Sequence, residues 1–361
     1  MMHKKQRKQP QEKDFTDLGW RIKLKKNFRM IQVGVSHEHA IGKYRALKYM
    51  KDSIDLIGIV DDRGFARTPH FVGAGEFDSY KAERFLTLDQ ALNEEKPDAV
   101  LIEVPNLDLV RIAMMFAERG IPIHLDKPCG EDLPAYKKLL DLCERKNLPF
   151  QMGYMFRGNP AIRFAIQAIK SGMLGEVFEI QADMNHCYGG VEYNQNYLPN
   201  FKGGIMFNLG CHMIDYIVTM LGRPEHVHPF LKSACSVDKA LNNCVAVLEY
   251  PHAHAVVTVC SRDWRMKRRL RIGGTKGSLE FSPVERFDGK EIEVYLALKE
   301  GCKEFESGVH CLKFGPVPNR YEAQLRDFMA MVRREKPDEY TRLHDYTVQE
   351  VTLAASGVIP L

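Results

Sequence analysis

Residues 29–34 read RMIQVG and residues 54–61 read IDLIGIVD, and these two stretches decide the fold of the first half of the chain. Each contains a short apolar run of the kind that forms a buried strand. A helix pattern lies between them, with apolar side chains at steps of three residues (Ile41, Tyr44, Leu47 and Met50). A strand, a helix and a second strand within about 30 residues predict the βαβ unit of a parallel sheet.

The same alternation continues to about residue 150. Further strands are predicted at residues 99–104 and 121–125, and a helix is predicted from Leu133 to about Lys146. Alternating strands and helices are typical of a doubly wound sheet. We therefore predict an α/β Rossmann domain with a parallel sheet over residues 29–151.

The pattern changes in the second half of the chain. A helix is predicted to begin at Asn159-Pro160 and to end at Gly172, and two closing helices are predicted at about 319–335 and 344–358. Between them lie β-like runs with few helices (176–184, 244–250, 253–260, 270–281 and 292–298). Consecutive strands predict an α+β domain with a large, open, mostly antiparallel sheet over residues 152–361.

Composition limits the class of protein. Of the 361 residues, 45% are hydrophobic and 27% are charged, which is typical of a folded globular chain. Residues 1–29 carry ten Lys and Arg against three Asp and Glu, so the formal charge of +4 becomes −3 without them. We predict a basic N-terminal extension over residues 1–28 and no nucleic-acid partner. No apolar run is long enough for a membrane span and the nine cysteines form no CxxC pair, so we expect a cytoplasmic protein without a membrane partner.

The turn after the first strand reads Gly34-Val-Ser-His-Glu-His39 and keeps only the first glycine of a GxGxxG dinucleotide pattern. It is either a pyrophosphate-binding turn, with Gly34, Ser36, His37 and Glu38 as candidate contacts, or an ordinary strand-to-helix turn. Asp61, followed by Asp62, ends the second strand, where a carboxylate can bind ribose hydroxyls and repel a 2′-phosphate. This favours NAD over NADP, although Arg63 leaves NADP possible and a turn-capping role for Asp61 stays open.

Two later segments contain the candidate catalytic residues. His124-Leu-Asp-Lys-Pro128 follows a predicted parallel strand, at the edge where open sheets bind ligands, and Lys127 there could stabilise negative charge on a substrate oxygen. The segment 203–215 reads GGIMFNLGCHMID, and its Asn208, His212 and Asp215 are spaced to share one face of a helix. His212 could act as a general base near neutral pH.

These segments resemble, in their order, the glucose–fructose oxidoreductase / inositol dehydrogenase / MocA (Gfo/Idh/MocA) family. Four further matches lie between and around them: KPDAV at 96–100, VPN at 104–106, GYMFR at 153–157 and GMLGEV at 172–177. The resemblance covers roughly residues 30–300. It departs from the family at Asn208, where many members have Asp, at Asp126, where Glu is commoner, and in the glycine turn.

The resemblance implies an NAD(P)-dependent oxidoreductase that acts on a CH–OH group of a sugar, a sugar derivative or a cyclitol. It implies that Lys127 and His212 cooperate on the oxidised hydroxyl with Asn208 beside them. It also implies cofactor contacts at Pro105, Asn106, Asp126 and Lys127, a Lys127–Pro128 peptide that is often cis, and a homodimer or homotetramer assembled through the open sheets.

Polar and aromatic side chains are the candidate substrate wall, because a sugar presents both kinds of face. The candidates are Tyr154, Arg157, His186, Tyr188, Asn208, His212 and Asp215, together with Tyr193, Asn194 and Tyr197. Two other functions stay open. One is glycoside cleavage by transient oxidation and elimination, and the other is NAD or sugar binding without catalysis.

Three HxH pairs could in principle bind zinc, namely His37/His39, His226/His228 and His252/His254. None of them has a third ligand at motif spacing. The sequence therefore predicts no metal site.

Overall fold

The structure is a computed structural model that describes residues 28–67, 76–187 and 190–361. The predicted basic extension lies outside these residues, except for Phe28. In the described part of the chain, no helix is both long and apolar enough to cross a bilayer. All nine cysteines are free thiols.

The first sheet is parallel and has six strands in the order β3-β2-β1-β4-β5-β6, which confirms the predicted Rossmann fold. The strands are β1 (Phe28–Val33), β2 (Ile54–Val60), β3 (Phe85–Leu86), β4 (Ala99–Ile102), β5 (Ile123–Leu125) and β6 (Phe150–Met152). The helices of this half are α1 (Ala40–Tyr49), α2 (Leu109–Glu118) and α3 (Leu133–Arg145).

The carboxyl ends of β1 and β4 define the crevice of this sheet. Val33 of β1 lies opposite Val60 of β2 on one side and Ile102 of β4 on the other. The strand order therefore reverses at β1, and open sheets of this kind bind ligands at such a switch point. Gly34 and Glu103 follow these two strands directly, so the polar turns after them line the crevice.

The second sheet has eight strands in the order β14-β13-β12-β11-β7-β10-β9-β8. Only the β7–β10 pair is parallel, which confirms the prediction of a mostly antiparallel sheet. The strands are β7 (Val177–Asn185), β8 (His226–Lys232), β9 (Asn243–Glu249), β10 (His254–Cys260), β11 (Lys267–Gly274), β12 (Gly277–Phe281), β13 (Ile292–Leu298) and β14 (Gly308–Phe314).

The remaining helices are α4 (Pro160–Lys170), the single turn α5 (Gly190–Glu192), α6 (Cys211–Leu221), α7 (Glu322–Val332) and α8 (Arg342–Ala355). Asn159 caps α4 as predicted, because its side chain accepts hydrogen bonds from the N–H groups of Ala161 and Ile162. Helix α6 is buried on nearly all sides, so its polar side chains lie inside the protein.

A π-helical turn, Met206–Gly210, precedes α6. The prediction that Asn208, His212 and Asp215 share one α-helical face is therefore wrong in detail, because the first of them lies in the wider turn. The π-turn is a frequent feature of functional sites, where it redirects a side chain.

Candidate active site

Gly34 begins the turn between β1 and α1. Its φ of +110° is a conformation that residues with a side chain rarely adopt, and a Cβ atom there would lie 2.5 Å from the carbonyl oxygen of Glu103. The turn thus passes so close to the end of β4 that only glycine fits. This close approach is what a dinucleotide-binding turn requires of its first glycine.

The two aspartates after β2 have different surroundings. Asp62 is buried, and its Oδ1 accepts hydrogen bonds from the backbone N–H groups of Val35 at 2.9 Å and Ser36 at 3.1 Å, while the Ser36 hydroxyl donates to Oδ2. Asp61 is partly exposed and pairs with the guanidinium of Arg63, at 2.9 Å from Oδ1 to Nε. Asp62 therefore fixes the turn, and Asp61 is the more exposed of the two carboxylates.

Asp126 lies after β5 and meets the histidines of the same turn. Its Oδ2 is 2.8 Å from Nδ1 of His39 and 3.2 Å from Nδ1 of His37. Burial favours neutral Asp126, but the two histidines lower its pKa well below the usual range. Burial also lowers the pKa of His39 to about 4. Burial opposes the charged form of His37 too, but the hydrogen bond and charge of Asp126 together with the charge of Glu38 raise the pKa of His37.

Asn106, at the end of the turn after β4, joins this cluster to the Lys127 segment. Its Nδ2 donates to the carbonyl oxygen of Lys127 at 2.7 Å, and its Oδ1 lies 3.1 Å from Nε2 of His37. The hydroxyl of Tyr197 donates to the same Oδ1 at 3.3 Å. The Lys127–Pro128 peptide is cis, as the resemblance implied.

Lys127 connects the crevice to the second domain. Its side chain is buried, and its Nζ donates to the carbonyl oxygen of Asn208 at 3.1 Å. His212 lies one turn further along, packed edge-on against Tyr154 and Phe156. Burial and the positive charge of Lys127 hold the pKa of His212 well below its usual range, so its imidazole is neutral at pH 7. Lys127 and His212 thus lie in one buried region.

Two buried polar atoms in this region have no hydrogen-bond partner among the described residues. They are Nδ1 of His212 and Nδ2 of Asn208, whose Oδ1 accepts a hydrogen bond from the Tyr193 hydroxyl at 2.9 Å. Leaving a buried polar atom unpaired costs about 1–3 kcal/mol. Such atoms are explained if a bound molecule supplies the missing partners.

The predicted substrate contacts Arg157 and Asp215 are engaged elsewhere. The Arg157 guanidinium makes a two-pronged contact with Asp215, at 2.6 Å and 3.0 Å, and a further contact with Asp345 at 2.8 Å. Burial opposes its charge, but Asp215 and Asp345 raise the pKa of Arg157 above its usual value. We therefore assign Asp215 to a buried ion network that ties α6 to α8, and not to the substrate wall.

The other predicted substrate residues lie in different surroundings. Tyr154 contacts the ring of His212, and His186 is buried near Arg268, which together with burial lowers the pKa of His186 to about 4. Tyr188 lies outside the described residues. Of the remaining cofactor candidates, Glu38 places Oε1 3.7 Å from Nε2 of His39, and Pro105 precedes the turn that carries Asn106.

A buried polar cluster around Lys43 was not predicted. Lys43 of α1 is fully buried, with its Nζ 2.6 Å from Nε2 of His124 and 3.8 Å from Oε1 of Glu103. Burial lowers the pKa of Lys43 and raises that of Glu103. Because a lysine on a surface helix is usually solvated, only its position between Ile41 and Tyr44 on the apolar face could have signalled this burial.

Two adjoining segments of the chain match one protein family. Residues 28–154 match "Oxidoreductase family, NAD-binding Rossmann fold", and residues 162–280 match "GFO/IDH/MocA C-terminal domain". The chain belongs to the Gfo/Idh/MocA oxidoreductase family. The resemblance drawn from its ordered motifs is confirmed.

Relatives in this family are distant. The uncharacterised oxidoreductase ORF334 of Rhizobium meliloti is 23% identical over 323 residues, covering 85% of this chain and 90% of that protein. D-xylose 1-dehydrogenase (NADP(+)) 2 of Haloferax volcanii is 26% identical over 202 residues, covering 55% and 60%. The crystal structure of an Agrobacterium radiobacter oxidoreductase in complex with NAD+, L-tartaric acid and magnesium aligns with a TM-score of 0.74 at 17% identity, covering 92% and 96%. This structural likeness establishes the shared fold.

Proposed function

We propose that this protein is an NAD(H)-dependent oxidoreductase that acts on a hydroxyl carbon of a sugar, a sugar derivative or a cyclitol. The observation that carries the proposal is the buried juxtaposition of Lys127 with the Asn208–His212 segment, joined by the 3.1 Å hydrogen bond from Nζ. The Gly34 turn, where any Cβ would meet Glu103, suits the close approach of a dinucleotide. Bound nicotinamide would supply hydride transfer.

The residues of the chain account for the proton and the charge in this reaction. Neutral His212 can accept the proton of the substrate hydroxyl during oxidation and return it during reduction. The Lys127 ammonium would stabilise negative charge as it develops on that oxygen. The unpaired Nδ2 of Asn208 would donate to a substrate oxygen and so orient it.

Asp61 and Arg63 bear on the choice of dinucleotide. The Asp61 carboxylate suits the ribose hydroxyls of NAD, and Arg63 next to it could pair with a 2′-phosphate. Because their ion pair offsets the charge of Arg63, we propose that NAD is preferred. Asp61→Asn should lower the ratio of NADH to NADPH affinity by releasing Arg63, and an unchanged ratio would place the choice elsewhere.

The open face of the eight-stranded sheet supports the proposal of a homodimer or homotetramer. Three large side chains there are strongly exposed, namely Phe230 at 58%, Tyr295 at 51% and Val309 at 74%. Exposed apolar side chains on a broad sheet are typical of interfaces. Light scattering would give the mass in solution, and a monomer at all concentrations would contradict this assembly.

The deciding experiment compares wild type with Lys127→Ala, using Lys137→Ala on the exposed side of α3 as the matched control. NAD(H) binding is measured by calorimetry, and reduction of bound NAD is followed at about 340 nm with a panel of sugars and cyclitols. We expect wild type and the control to bind and to turn over, and Lys127→Ala to bind with turnover reduced at least about 100-fold.

Other results would favour the alternative functions. Failure to bind NAD(H) or NADP(H) at millimolar concentration would refute the proposed reaction. Net cleavage of a glycoside with the cofactor retained, and without added NAD, would indicate transient oxidation followed by elimination. Tight binding without reduction by any member of the panel would favour a binding protein.

A further inference from the structure

The turn after β1 brings two imidazoles and one carboxylate together. Nδ1 of His37 and Nδ1 of His39 both face Oδ2 of Asp126, at 3.2 Å and 2.8 Å, and all three candidate ligand atoms lie within 4.8 Å of one another. Within residues 28–67, 76–187 and 190–361, this is the only such group of three. Motif spacing does not show this group, because Asp126, directly after β5, lies 87 residues from His39 in the sequence.

The hydrogen bonds of Asn106 determine which nitrogen of His37 carries a proton. Nδ2 of Asn106 donates to the carbonyl of Lys127, so Oδ1, which can only accept, is the atom that faces Nε2 of His37. Nε2 therefore carries the hydrogen. The backbone N–H of His39 lies 3.3 Å from Nδ1 of His37, and a metal ion at Nδ1 would replace this long contact.

This arrangement places a lone pair of His37 opposite a carboxylate oxygen of Asp126 at 3.2 Å. Two acceptor atoms at this distance repel each other unless a cation lies between them. The cation is either a proton, which makes His37 an imidazolium, or a metal ion, which would also engage Nδ1 of His39. His39, whose Nδ1 lies 2.8 Å from the same oxygen, would give a metal ion a third ligand.

We propose that His37, His39 and Asp126 form a binding site for a divalent transition metal of the zinc class. Two imidazoles and one carboxylate are ligands that Zn²⁺ prefers, whereas Mg²⁺ prefers oxygen ligands throughout. Three protein ligands leave a fourth position for water or an anion. The hydrogen bond from Nε2 of His37 to Asn106 is the support that metal-bound histidines usually have.

The site has a consequence for the proposed dinucleotide binding, and this consequence rests on that proposed function. His37 and Asp126 are also candidate cofactor contacts, in the turn that would receive the pyrophosphate. A bound metal ion would keep the side chains of His37 and Asp126 engaged with the metal, so they could not contact the pyrophosphate at the same time. We therefore expect zinc and NAD(H) to compete.

The test uses the full chain, freed of metal with EDTA and alkylated at its exposed cysteines (Cys187, Cys235, Cys302 and Cys311). Titration with Co²⁺ should give one equivalent of bound metal and the visible absorption of a four-coordinate cobalt site, and Zn²⁺ should displace it while Mg²⁺ should not. His39→Ala should abolish this absorption. Asn106→Ala should weaken zinc binding about 10–100-fold, because it removes the support of His37.

The matched control is the double variant His226→Ala/His228→Ala, which removes another HxH pair, on the exposed strand β8. It should bind cobalt as wild type does.

Failure of wild type to bind cobalt or zinc at micromolar concentration would overturn the proposal, and so would full binding by a folded His39→Ala variant. ¹⁵N NMR of the metal-free protein at pH 8 would show whether Nδ1 of His37 is protonated. If it is, and the protein binds no zinc, the cation between His37 and Asp126 is a proton. Metal binding without any NAD(H) binding would leave the metal site standing and refute the competition alone.

Discussion

The two ends of the candidate site differ in how their polar atoms are satisfied. In the turn after β1, the N–H groups of Val35 and Ser36 are bonded to Asp62, and both imidazoles contact Asp126. At the start of α6, by contrast, buried nitrogens of Asn208 and His212 have no partner in the described structure. The polar atoms of the turn after β1 are thus bonded to one another, and we call it the closed turn. The start of α6 has buried nitrogens without partners, and we call it the open end.

This difference indicates how each end would bind a ligand. A molecule at the closed turn must replace internal hydrogen bonds, so its net gain there is small and depends on charge. A molecule at the open end supplies partners that the fold lacks, and each new hydrogen bond removes an existing penalty. We therefore expect selectivity for the substrate to come mainly from the open end.

His212→Asn should have the largest effect, because it removes the proposed base at the open end. We expect turnover to fall about 10²–10⁴-fold with little change in NADH affinity. Steady-state kinetics and NADH fluorescence titration would measure the two quantities. The exposed His226→Asn is the control, and equal losses in both variants would mean that the open end has no special role.

Asp215→Asn tests whether the open end depends on the ion network behind it. The change leaves the buried Arg157 short of one carboxylate, which should lower the free energy of unfolding by about 3–5 kcal/mol. Asp141→Asn breaks the exposed pair with Lys137 and should cost no more than about 1 kcal/mol. Denaturant unfolding of both variants would decide. Equal losses would mean that the Arg157–Asp215 pair contributes no more to stability than an exposed pair. Asp215 would then again be a candidate substrate contact.

The contrast between core and edge strands shows how much of the fold could be predicted. Central strands such as β1 and β10 are buried apolar runs, and the sequence located them within a residue or two. The four strands that were not predicted, β3, β6, β8 and β14, are the four edge strands of the two sheets. An edge strand has neighbours on one side only, so it can be short or polar, as HVHPFLK in β8 is, and lacks the apolar pattern.

The candidate site was predictable where a motif places residues in sequence order. Lys127 and His212 were found in this way, and the structure brings them into one region. The contact of Lys43 with His124 and the meeting of Asp126 with His39 were not predictable, because each joins side chains that are far apart in the sequence. Likewise, no local pattern distinguishes Asp215 in an ion network from Asp215 in a substrate wall.

Gly34→Ala tests the closed turn. Positive φ alone should cost about 1–3 kcal/mol in any variant of this kind. Gly120→Ala, at a φ of +73° with open space around its Cβ, measures that cost by itself. Gly34→Ala adds the clash with the Glu103 carbonyl, so we expect a larger loss of stability and loss of NADH binding. If the two variants lose equal stability by denaturant unfolding and Gly34→Ala still binds NADH, the close approach of the turn to β4 does not matter.

The smallest expected effect is the contribution of His186 to the pH dependence of stability. Burial and the charges of Arg268 and Arg320, opposed by Glu38, lower its pKa to about 4 in the folded protein. In the unfolded chain His186 titrates near 6.5, so the unfolded state binds more protons between pH 6.5 and 4, and stability falls as the pH falls through this range. The contribution of His186 to this loss is at most about 3 kcal/mol. His186→Gln should lack this pH-dependent loss. The difference in the free energy of unfolding between wild type and variant should therefore change by up to about 3 kcal/mol between pH 7 and pH 4.5. A difference that stays constant with pH would mean that folding does not lower the pKa of His186.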